Sequence, residues 1–342
     1  MRIGLLTGGG DCPGLNAVIR AVVRKGIGEY GDQMLGLRGG WRGAIEDTSE
    51  QLTIDSTRGI LTRGGTILGT SRTNPFKHDG GPRLIRETLA RHELDGLVAI
   101  GGEDTLGAAN RLHAEGVNVI GVPKTIDNDL GATDVTFGFD TALQIATEAI
   151  DRLHSTAESH DRVLVAEVMG RTAGWIALHA GIAGGAHAIL IPEVPFDIDE
   201  VCGLICHRRE HGQRYSIVVT AEGALPKEGT MATAAGELDE FGHPRLGGIG
   251  QRLEQEIEQR TGYETRATVF GHIQRGGTPT AFDRVLATRF GLAAIDAAHA
   301  GKWGTMTALR SAEIELVELA DAVAEVRLVP VAEYERYRVL FG

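Results

Sequence analysis

Short apolar runs recur along the chain, and helical patterns lie between them. The runs cover residues 3–6, 34–37, 97–100, 117–122, 163–169, 188–191 and 217–219. Residues 15–27 have apolar side chains at three- and four-residue spacing, which is the pattern of an amphipathic helix, and residues 142–153 show a similar face. A further helix is predicted around residues 253–257. Strands buried on both faces read as continuous apolar runs, so this alternation predicts the α/β class, with parallel sheets flanked by helices.

The length and charge of the chain narrow this prediction. At 342 residues the chain exceeds the size at which single cores stop growing, about 250 residues, so we expect two domains with the active site in the cleft between them. Asp and Glu total 46 against 34 Lys and Arg. An excess of acidic residues argues against nucleic acid or a membrane surface as a partner.

The cysteines and the N-terminal residues indicate a cellular location. Cys12, Cys202 and Cys206 are too few for the disulfide framework of a secreted protein, and MRIGLLTGGG is too short an apolar run for a signal peptide or a membrane span. We therefore expect a cytoplasmic protein. Cys202 and Cys206 are one helical turn apart, and they are interpreted as small apolar residues on a helix, with a metal-binding pair as the alternative.

Polar segments follow the apolar runs, at the positions where open α/β sheets bind ligands. They read TGGGDCPG, IGGED, VPKTIDND, VMGRTAG, TAEG and FGHIQRGG. Such a repeated combination of Gly, acid and base predicts a site built from several strand ends. Residues 225–250, rich in Gly, Pro and Thr, are predicted to form an irregular excursion before the next helix.

TGGGDCPGLNA joins a predicted strand to a predicted helix. Glycine there lets backbone N–H groups approach an anion at the positive end of the helix, so the segment is a candidate phosphate loop. It lacks the Gly-Lys-Ser/Thr of a Walker A motif and the spacing of a Rossmann fingerprint. A simple tight turn is the alternative interpretation.

PKTIDND places Lys124 and Thr125 just before Asp127 and Asp129. One carboxylate of such a pair can accept a hydroxyl proton, and the lysine can neutralise a phosphoryl group. A helix cap with a surface ion pair is the alternative. Basic side chains at other strand ends could bind phosphate through charge-assisted hydrogen bonds, namely Arg171, Arg266, His272 and Arg275.

The motifs TGGGDCPGLNA, GGED, PKTIDND, EVMGRTAGW, AEGA and GHIQRGGTPTAFDR occur in the order and spacing of the phosphofructokinase family, which the chain resembles from Arg2 to about Val329. The resemblance implies two Rossmann-like domains and transfer of a phosphoryl group to the 1-hydroxyl of fructose 6-phosphate with Mg²⁺. It also implies a homodimer or homotetramer whose active sites are shared between subunits. The implied donor domain comprises residues 1–140 and about 279–327, and the sugar-phosphate domain about 141–278 and 328–342.

The resemblance also assigns roles to individual residues. Asp127 matches the proton acceptor, and Arg171 belongs to the segment that holds the transferring phosphoryl group. Gly10, Arg72, Asp104 and Lys124 match donor contacts, and Asp104, Lys124, Asp127 and Arg171 form the catalytic set. The sugar-phosphate contacts it implies are Thr125, Asp127, Asp129, Arg162, Met169, Gly170, Arg171, Glu222, Arg266, His272 and Arg275, with Arg162 and Arg266 supplied by the neighbouring subunit and His272 and Arg275 at the 6-phosphate end.

The loop after residues 97–100 departs from the ATP-using pattern Gly-Gly-Asp-Gly. Glu103 matches the acid that faces Mg²⁺ and is one methylene longer. Asp104 replaces a glycine that leaves room for the α-phosphate of a nucleotide, and Lys124 also replaces a frequent glycine. Asp at position 104 together with Lys at position 124 resembles the pyrophosphate-using members. Lys at the second position with Gly at the first also occurs in ATP users, so Asp104 is the residue that distinguishes the two donors.

The resulting prediction is reversible phosphoryl transfer from pyrophosphate to fructose 6-phosphate. The first alternative is an ATP-dependent enzyme of the same fold. The second is an inactive sugar-phosphate sensor, which fold alone could support. The joint presence of Glu103, Asp127 and Arg171 argues against the sensor.

Overall fold

The computed structural model describes residues 1–231 and 246–342 and divides the chain into two compact units. Unit 1 comprises Met1–Ile126, Leu130–Thr141 and Arg275–Val326. Unit 2 comprises Asp127–Asp129, Ala142–Gln274 and Arg327–Gly342. Residues 232–245, which form most of the predicted excursion at 225–250, lie outside the described residues.

All seven predicted strands are present, together with strands that the sequence did not predict. The strands are β1 (Arg2–Thr7), β2 (Gln33–Leu37), β3 (Ser49–Leu52), β4 (Gly96–Gly101), β5 (Val119–Thr125), β6 (Phe137–Gly138), β7 (Val163–Val168), β8 (Ala188–Leu190), β9 (Ser216–Ala221), β10 (Thr265–Val269), β11 (Thr305–Arg310) and β12 (Glu313–Glu318).

The three predicted helices are also present, within a larger set. The helices are α1 (Leu15–Tyr30), α2 (Trp41–Glu46), α3 (Gly81–Arg91), α4 (Glu103–Ala114), α5 (Phe139–His160), α6 (Trp175–Ala183), α7 (Ile198–Glu210), α8 (Ile249–Thr261), α9 (Ala281–His299), α10 (Leu319–Ala322) and α11 (Val331–Tyr337). In the part of the chain that the structure describes, no helix combines the length and apolar character needed to cross a membrane.

Unit 1 contains a sheet with the strand order β12-β11-β5-β4-β1-β2-β3, and β6 pairs with β5 beside this path. The inner strands are parallel, but β3 runs antiparallel to β2 and β12 antiparallel to β11. These two edge strands were not predicted. Edge strands are half solvated, so their sequences, SEQL and EIELVE, contain no continuous apolar run.

Unit 2 contains a sheet in the order β10-β7-β9-β8 in which each described pairing is parallel. Its apolar core joins the sheet to α7 and α8 through residues such as Val165, Val218, Ile205 and Leu253. Cys202 lies in the same core cluster on α7. Burial raises the pKa of the Cys202 thiol to about 11, so the thiol stays protonated at neutral pH.

His187 gives unit 2 a pH-dependent contact. Its Nδ1 accepts the Ile217 N–H at 2.8 Å, which requires a neutral ring, and burial together with Arg208 and His154 lowers its pKa to about 4. A histidine whose pKa is lowered by folding stabilises the folded protein at pH values above its unfolded-state pKa, about 6.5. This stabilisation is lost as the pH falls toward the folded-state pKa of about 4. We expect acidification from pH 6.5 to 5 to cost about 2 kcal/mol through this residue.

The measurement is the melting temperature of the wild type and of His187→Gln at pH 7 and pH 5. The variant should melt lower at pH 7 and lose less on acidification than the wild type. Equal losses in the two proteins would contradict the assignment of this pH dependence to His187.

Candidate active site

The loop between β1 and α1 occupies a strand end of unit 1. Its first two N–H groups are used internally, because Gly8 N donates to Ile100 O at 2.9 Å and Gly9 N donates to Ser71 O at 3.0 Å. The second bond ties the loop to the segment that carries Arg72, whose side chain is exposed. The N–H groups of Gly8 and Gly9 are therefore not available to an anion, and backbone donors for a phosphate would come from Gly10 onward.

Two buried cations converge on Gly10. Lys124 Nζ donates to the Gly10 carbonyl, and Arg275 Nη1 donates to the Asp11 carbonyl at 3.3 Å. A Cβ at position 10 would lie 2.5 Å from Arg275 Nη1, so glycine is needed for the guanidinium to reach the loop. Lys124 is 3% exposed and Arg275 is 9% exposed. A phosphate bound at this loop would lie beside two positive charges, which favour an anion.

The acid pair does not lie in a loop, as expected from the sequence, but in the first turn of α4. Glu103 and Asp104 are its first two residues, and Gly102 is the N-cap. Negative side chains are favoured there because the helix dipole makes the N-terminus positive. The β4–β5 pairing sets Gly101 beside Pro123, next to Lys124 in the chain. Gly102 also approaches Lys124, because a Cβ there would lie 3.3 Å from the Lys124 carbonyl oxygen.

The segment after β5 carries the predicted base. Thr125 ends β5 in unit 1, and Asp127–Asp129 belongs to unit 2. Asp127 is 4% exposed and Asp129 is 8% exposed, so both carboxylates are buried. Asn128 between them has φ 55°, a left-handed conformation that asparagine adopts more readily than most residues. The segment is therefore a tight buried turn rather than a surface ion pair.

In unit 2, the turn after β7 is held by a carboxylate and an amide. Glu222 Oε1 accepts from Gly170 N at 3.3 Å and from Arg171 N at 3.1 Å, and Gln274 Oε1 accepts from Met169 N at 2.9 Å. Arg171 has φ 53°, so its backbone is strained unless such contacts hold it. Glu222 and Gln274 therefore fix the conformation of residues 169–171.

Gln274 is a site residue that the sequence analysis missed. It is fully buried and lies in a 3₁₀ turn, Gly271–Arg275, that also carries the exposed His272. Its bond to Met169 N links this turn to the turn after β7. The signal was available, because Gln274 is part of the motif GHIQRGG.

Arg162 and Arg266 lie at the other end of the sheet of unit 2. Both contact Glu264 Oε1, at 2.6 Å from Arg162 Nη2 and 2.8 Å from Arg266 Nη2, and the Arg162 hydrogen bond lowers the pKa of this carboxyl. Arg162 directly precedes β7, whereas Met169 directly follows it. A strand of six residues separates them by roughly 20 Å. These arginines therefore lie far from residues 169–171 of their own chain.

A buried acid in unit 1 supports the neighbouring strand end. Asp283 near the start of α9 accepts from Gly138 N at 2.9 Å and from Thr141 N at 2.8 Å. Burial raises its pKa to about 6 in spite of these donors. Its role is to hold the backbone between β6 and α5 in place.

A family model described as Phosphofructokinase matches residues 2–298 of this chain. The chain is 60% identical to pyrophosphate–fructose 6-phosphate 1-phosphotransferase of Amycolatopsis methanolica over 342 residues, covering all of both chains. It is 57% identical to ATP-dependent 6-phosphofructokinase of Mycobacterium tuberculosis over 343 residues, again covering all of both. The names of these two relatives differ in the donor.

A solved structure, Pichia pastoris phosphofructokinase in the T-state, is similar in fold. It is 33% identical, with a TM-score of 0.82, over 94% of this chain and 35% of that one. This similarity confirms the predicted α/β class with parallel sheets flanked by helices. The polar strand ends, the family match and the full-length relatives agree, and the chain belongs to the phosphofructokinase family.

Proposed function

We propose that this phosphofructokinase uses pyrophosphate as its phosphoryl donor and converts fructose 6-phosphate to fructose 1,6-bisphosphate reversibly. The observation that carries the proposal is the carboxylate of Asp104 in the first turn of α4, in a unit where Lys124 and Arg275 converge on Gly10. Unit 1 is the donor domain in this account, and unit 2 is the sugar-phosphate domain. A cytoplasmic location stays a prediction.

Lys124 and Arg275 are the proposed cations for the donor phosphates. The Lys124 ammonium and the Arg275 guanidinium are both held by hydrogen bonds to the loop between β1 and α1. Positive groups held in place stabilise negative charge without reorganising during the reaction. Gly10 gives the backbone a close approach to the donor, and Arg72 lies on the neighbouring segment. Arg275 matched the 6-phosphate end in the family comparison, and its contact with Asp11 suggests that it also acts on the donor side.

Glu103 is the proposed protein contact for Mg²⁺. Its carboxylate lies half-buried at the start of α4, and among the described residues no group of three or more His, Cys, Asp or Glu could hold a metal. This arrangement fits Mg²⁺, which is commonly held by one or two carboxylates, substrate phosphates and water. When bound, the ion would neutralise charge on the donor phosphates.

Asp127 is the proposed base for the sugar. Its buried carboxylate would accept the proton of the 1-hydroxyl as the oxygen attacks the terminal phosphorus of the donor, and phosphate leaves. Arg171 would stabilise charge on the transferring group, and Thr125 and Asp129 would contact the sugar or support the turn. Met169, Gly170, Glu222 and His272 complete the sugar-phosphate side.

Donor choice follows from the charge at α4. A helix N-terminus is normally a good site for a phosphate, but here Glu103 and Asp104 occupy the first turn with their own negative charges. A third phosphate group reaching this turn would be repelled by Asp104. Pyrophosphate, with two phosphoryl groups, avoids the repulsion, whereas ATP does not.

The proposed reaction can be tested by product formation. The protein is incubated with fructose 6-phosphate and either pyrophosphate or ATP, each with and without Mg²⁺, and fructose 1,6-bisphosphate is measured by a coupled assay. We expect product only with pyrophosphate and Mg²⁺. Binding of fructose 6-phosphate without turnover on either donor would instead support the sensor alternative.

The position of Arg162 and Arg266 predicts that active sites are shared between subunits. Since Arg162 precedes β7 and Arg266 pairs with Leu164 near the start of β7, both lie a strand length from residues 169–171 of their own chain, and we propose that they reach the 6-phosphate of a neighbouring subunit. Mixing inactive Arg162→Ala chains with inactive Asp127→Ser chains should restore part of the activity, because some hybrid sites contain neither change.

The control is each variant mixed with itself, which should stay inactive. Dissociation and reassociation precede the assay, and the assembly is followed by light scattering. No recovery of activity in mixed assemblies that are demonstrated to form, or an active monomer, would contradict shared sites.

A further inference from the structure

Residues 327–329, which we term the strap, contact the turn that carries Asp127. The strap lies beyond residues 2–298, the part matched by the family model. The main-chain N–H of Arg327 donates to Asp129 O at 2.8 Å, and its Nη1 donates to Asn128 O at 3.2 Å. One residue therefore binds two successive carbonyl groups of the turn.

The strap is itself held firmly. Trp175 Nε1 donates to Arg327 O at 2.9 Å, and the Arg327 guanidinium carbon lies 4.2 Å from the centroid of the Trp175 ring. Glu193 Oε1 accepts from Val329 N at 2.8 Å and also from Gly174 N at 2.9 Å. Trp175 and Gly174 belong to the motif MGRTAGW, so the strap connects two catalytic segments of unit 2.

The turn needs such support for a physical reason. Asp127–Asp129 is buried, and Asn128 is held in a left-handed conformation. Buried carbonyl groups require donors, and a strained conformation persists only where neighbouring contacts impose it. Arg327 meets both requirements, because its guanidinium holds the peptide plane that follows Asn128 and its main-chain N–H holds the plane that follows Asp129.

We infer that Arg327 is a positioning residue for the proposed base Asp127. This inference rests on the proposed function. The guanidinium acts on the carbonyl of Asn128, and through the backbone it sets the direction of the Asp127 carboxylate. A displacement of about 1 Å in a catalytic group can cost about a hundredfold in rate. Loss of Arg327 should therefore lower kcat rather than weaken sugar binding.

The first test is Arg327→Met, which keeps a long side chain on Trp175 and the main-chain N–H that binds Asp129, but removes the guanidinium that binds the Asn128 carbonyl. We expect kcat to fall about 10- to 100-fold, with the KM for fructose 6-phosphate within about threefold of the wild-type value. Arg289→Met is the matched control. Arg289 Nη2 donates to the Ala312 carbonyl beside Ser311, which has φ 57°, in unit 1 and outside the proposed site. This control should retain wild-type kcat.

The second test is a double-mutant cycle with Asp127→Ser. If Arg327 acts through Asp127, adding Arg327→Met to Asp127→Ser should reduce the residual activity by less than about twofold. An equal loss in both backgrounds would overturn the inference, and so would normal kcat in Arg327→Met. If Arg327→Met is insoluble, Arg327→Lys provides the same cycle, because lysine keeps the positive charge but cannot reproduce the guanidinium geometry.

The cycle also separates this inference from the proposed function. Normal turnover in Asp127→Ser would contradict the proposed base itself. A strong loss in Asp127→Ser together with normal turnover in Arg327→Met would reject only the positioning role of Arg327.

Discussion

Replacing Asp127 with serine is expected to lower turnover by about 10²–10⁴-fold, because the sugar 1-hydroxyl loses its proton acceptor. Serine is smaller and uncharged, so the buried turn can keep its backbone contacts to Arg327. The dissociation constant for fructose 6-phosphate should stay within about threefold of the wild-type value. Steady-state kinetics and equilibrium binding measure the two quantities separately.

Asp55→Ser is the control for this change. Asp55 is exposed in a 3₁₀ turn, where it pairs with Arg58 at 2.9 Å, and it belongs to none of the candidate site motifs. Its turnover should equal that of the wild type. If Asp127→Ser turned over at a near-normal rate, Asp127 would not be the base.

Replacing Asp104 with glycine is expected to admit ATP as a donor and to weaken the use of pyrophosphate. Two like charges about 4 Å apart repel by roughly 4 kcal/mol at an effective dielectric constant near 20. A term of this size disfavours ATP by about a thousandfold. Glycine removes both the charge and the side chain from the first turn of α4. The measurement is kcat/KM for each donor in the same coupled assay.

Two further variants separate the causes. Asp104→Asn removes the charge but keeps the volume, so any ATP turnover it gains measures the electrostatic part. Lys124→Gly should mainly impair catalysis with pyrophosphate, because it removes the cation that contacts Gly10. Melting temperatures should accompany these assays, since glycine in a helix costs about 0.5–1 kcal/mol relative to alanine. An unchanged donor preference in Asp104→Gly would refute the role of this carboxylate.

The apolar runs predicted most of the parallel strands of both sheets but missed β10 and β11, which also pair in parallel. Each predicted run, from residues 3–6 to 217–219, is a strand because a buried parallel strand must be apolar on both faces. The edge strands β3 and β12 escaped prediction, since solvent on one side allows short polar sequences.

The acid pair illustrates a second limit of the sequence. GGEDT was interpreted as a loop because two glycines precede two acids. The helix begins at Glu103 nonetheless, since acidic side chains stabilise a helix N-terminus and Gly102 serves as its cap.

Contacts between distant parts of the chain were the hardest to predict. Gln274 is 105 residues from Met169, and the carbonyl of Asn128 is 199 residues from Arg327. No local sequence pattern predicts such a pair, because the side chain bonds to a main-chain group, and every residue has main-chain groups. The motifs therefore predicted the side chains for chemistry, while the residues that hold the turns became visible only in the folded chain.

We propose that Asp104 makes this phosphofructokinase a pyrophosphate user. The most direct measurement is the ratio of kcat/KM for pyrophosphate to kcat/KM for ATP in the wild-type protein, at saturating fructose 6-phosphate and Mg²⁺. The repulsion at α4 predicts a ratio on the order of a thousand in favour of pyrophosphate. A ratio near one, or a preference for ATP, would contradict the account.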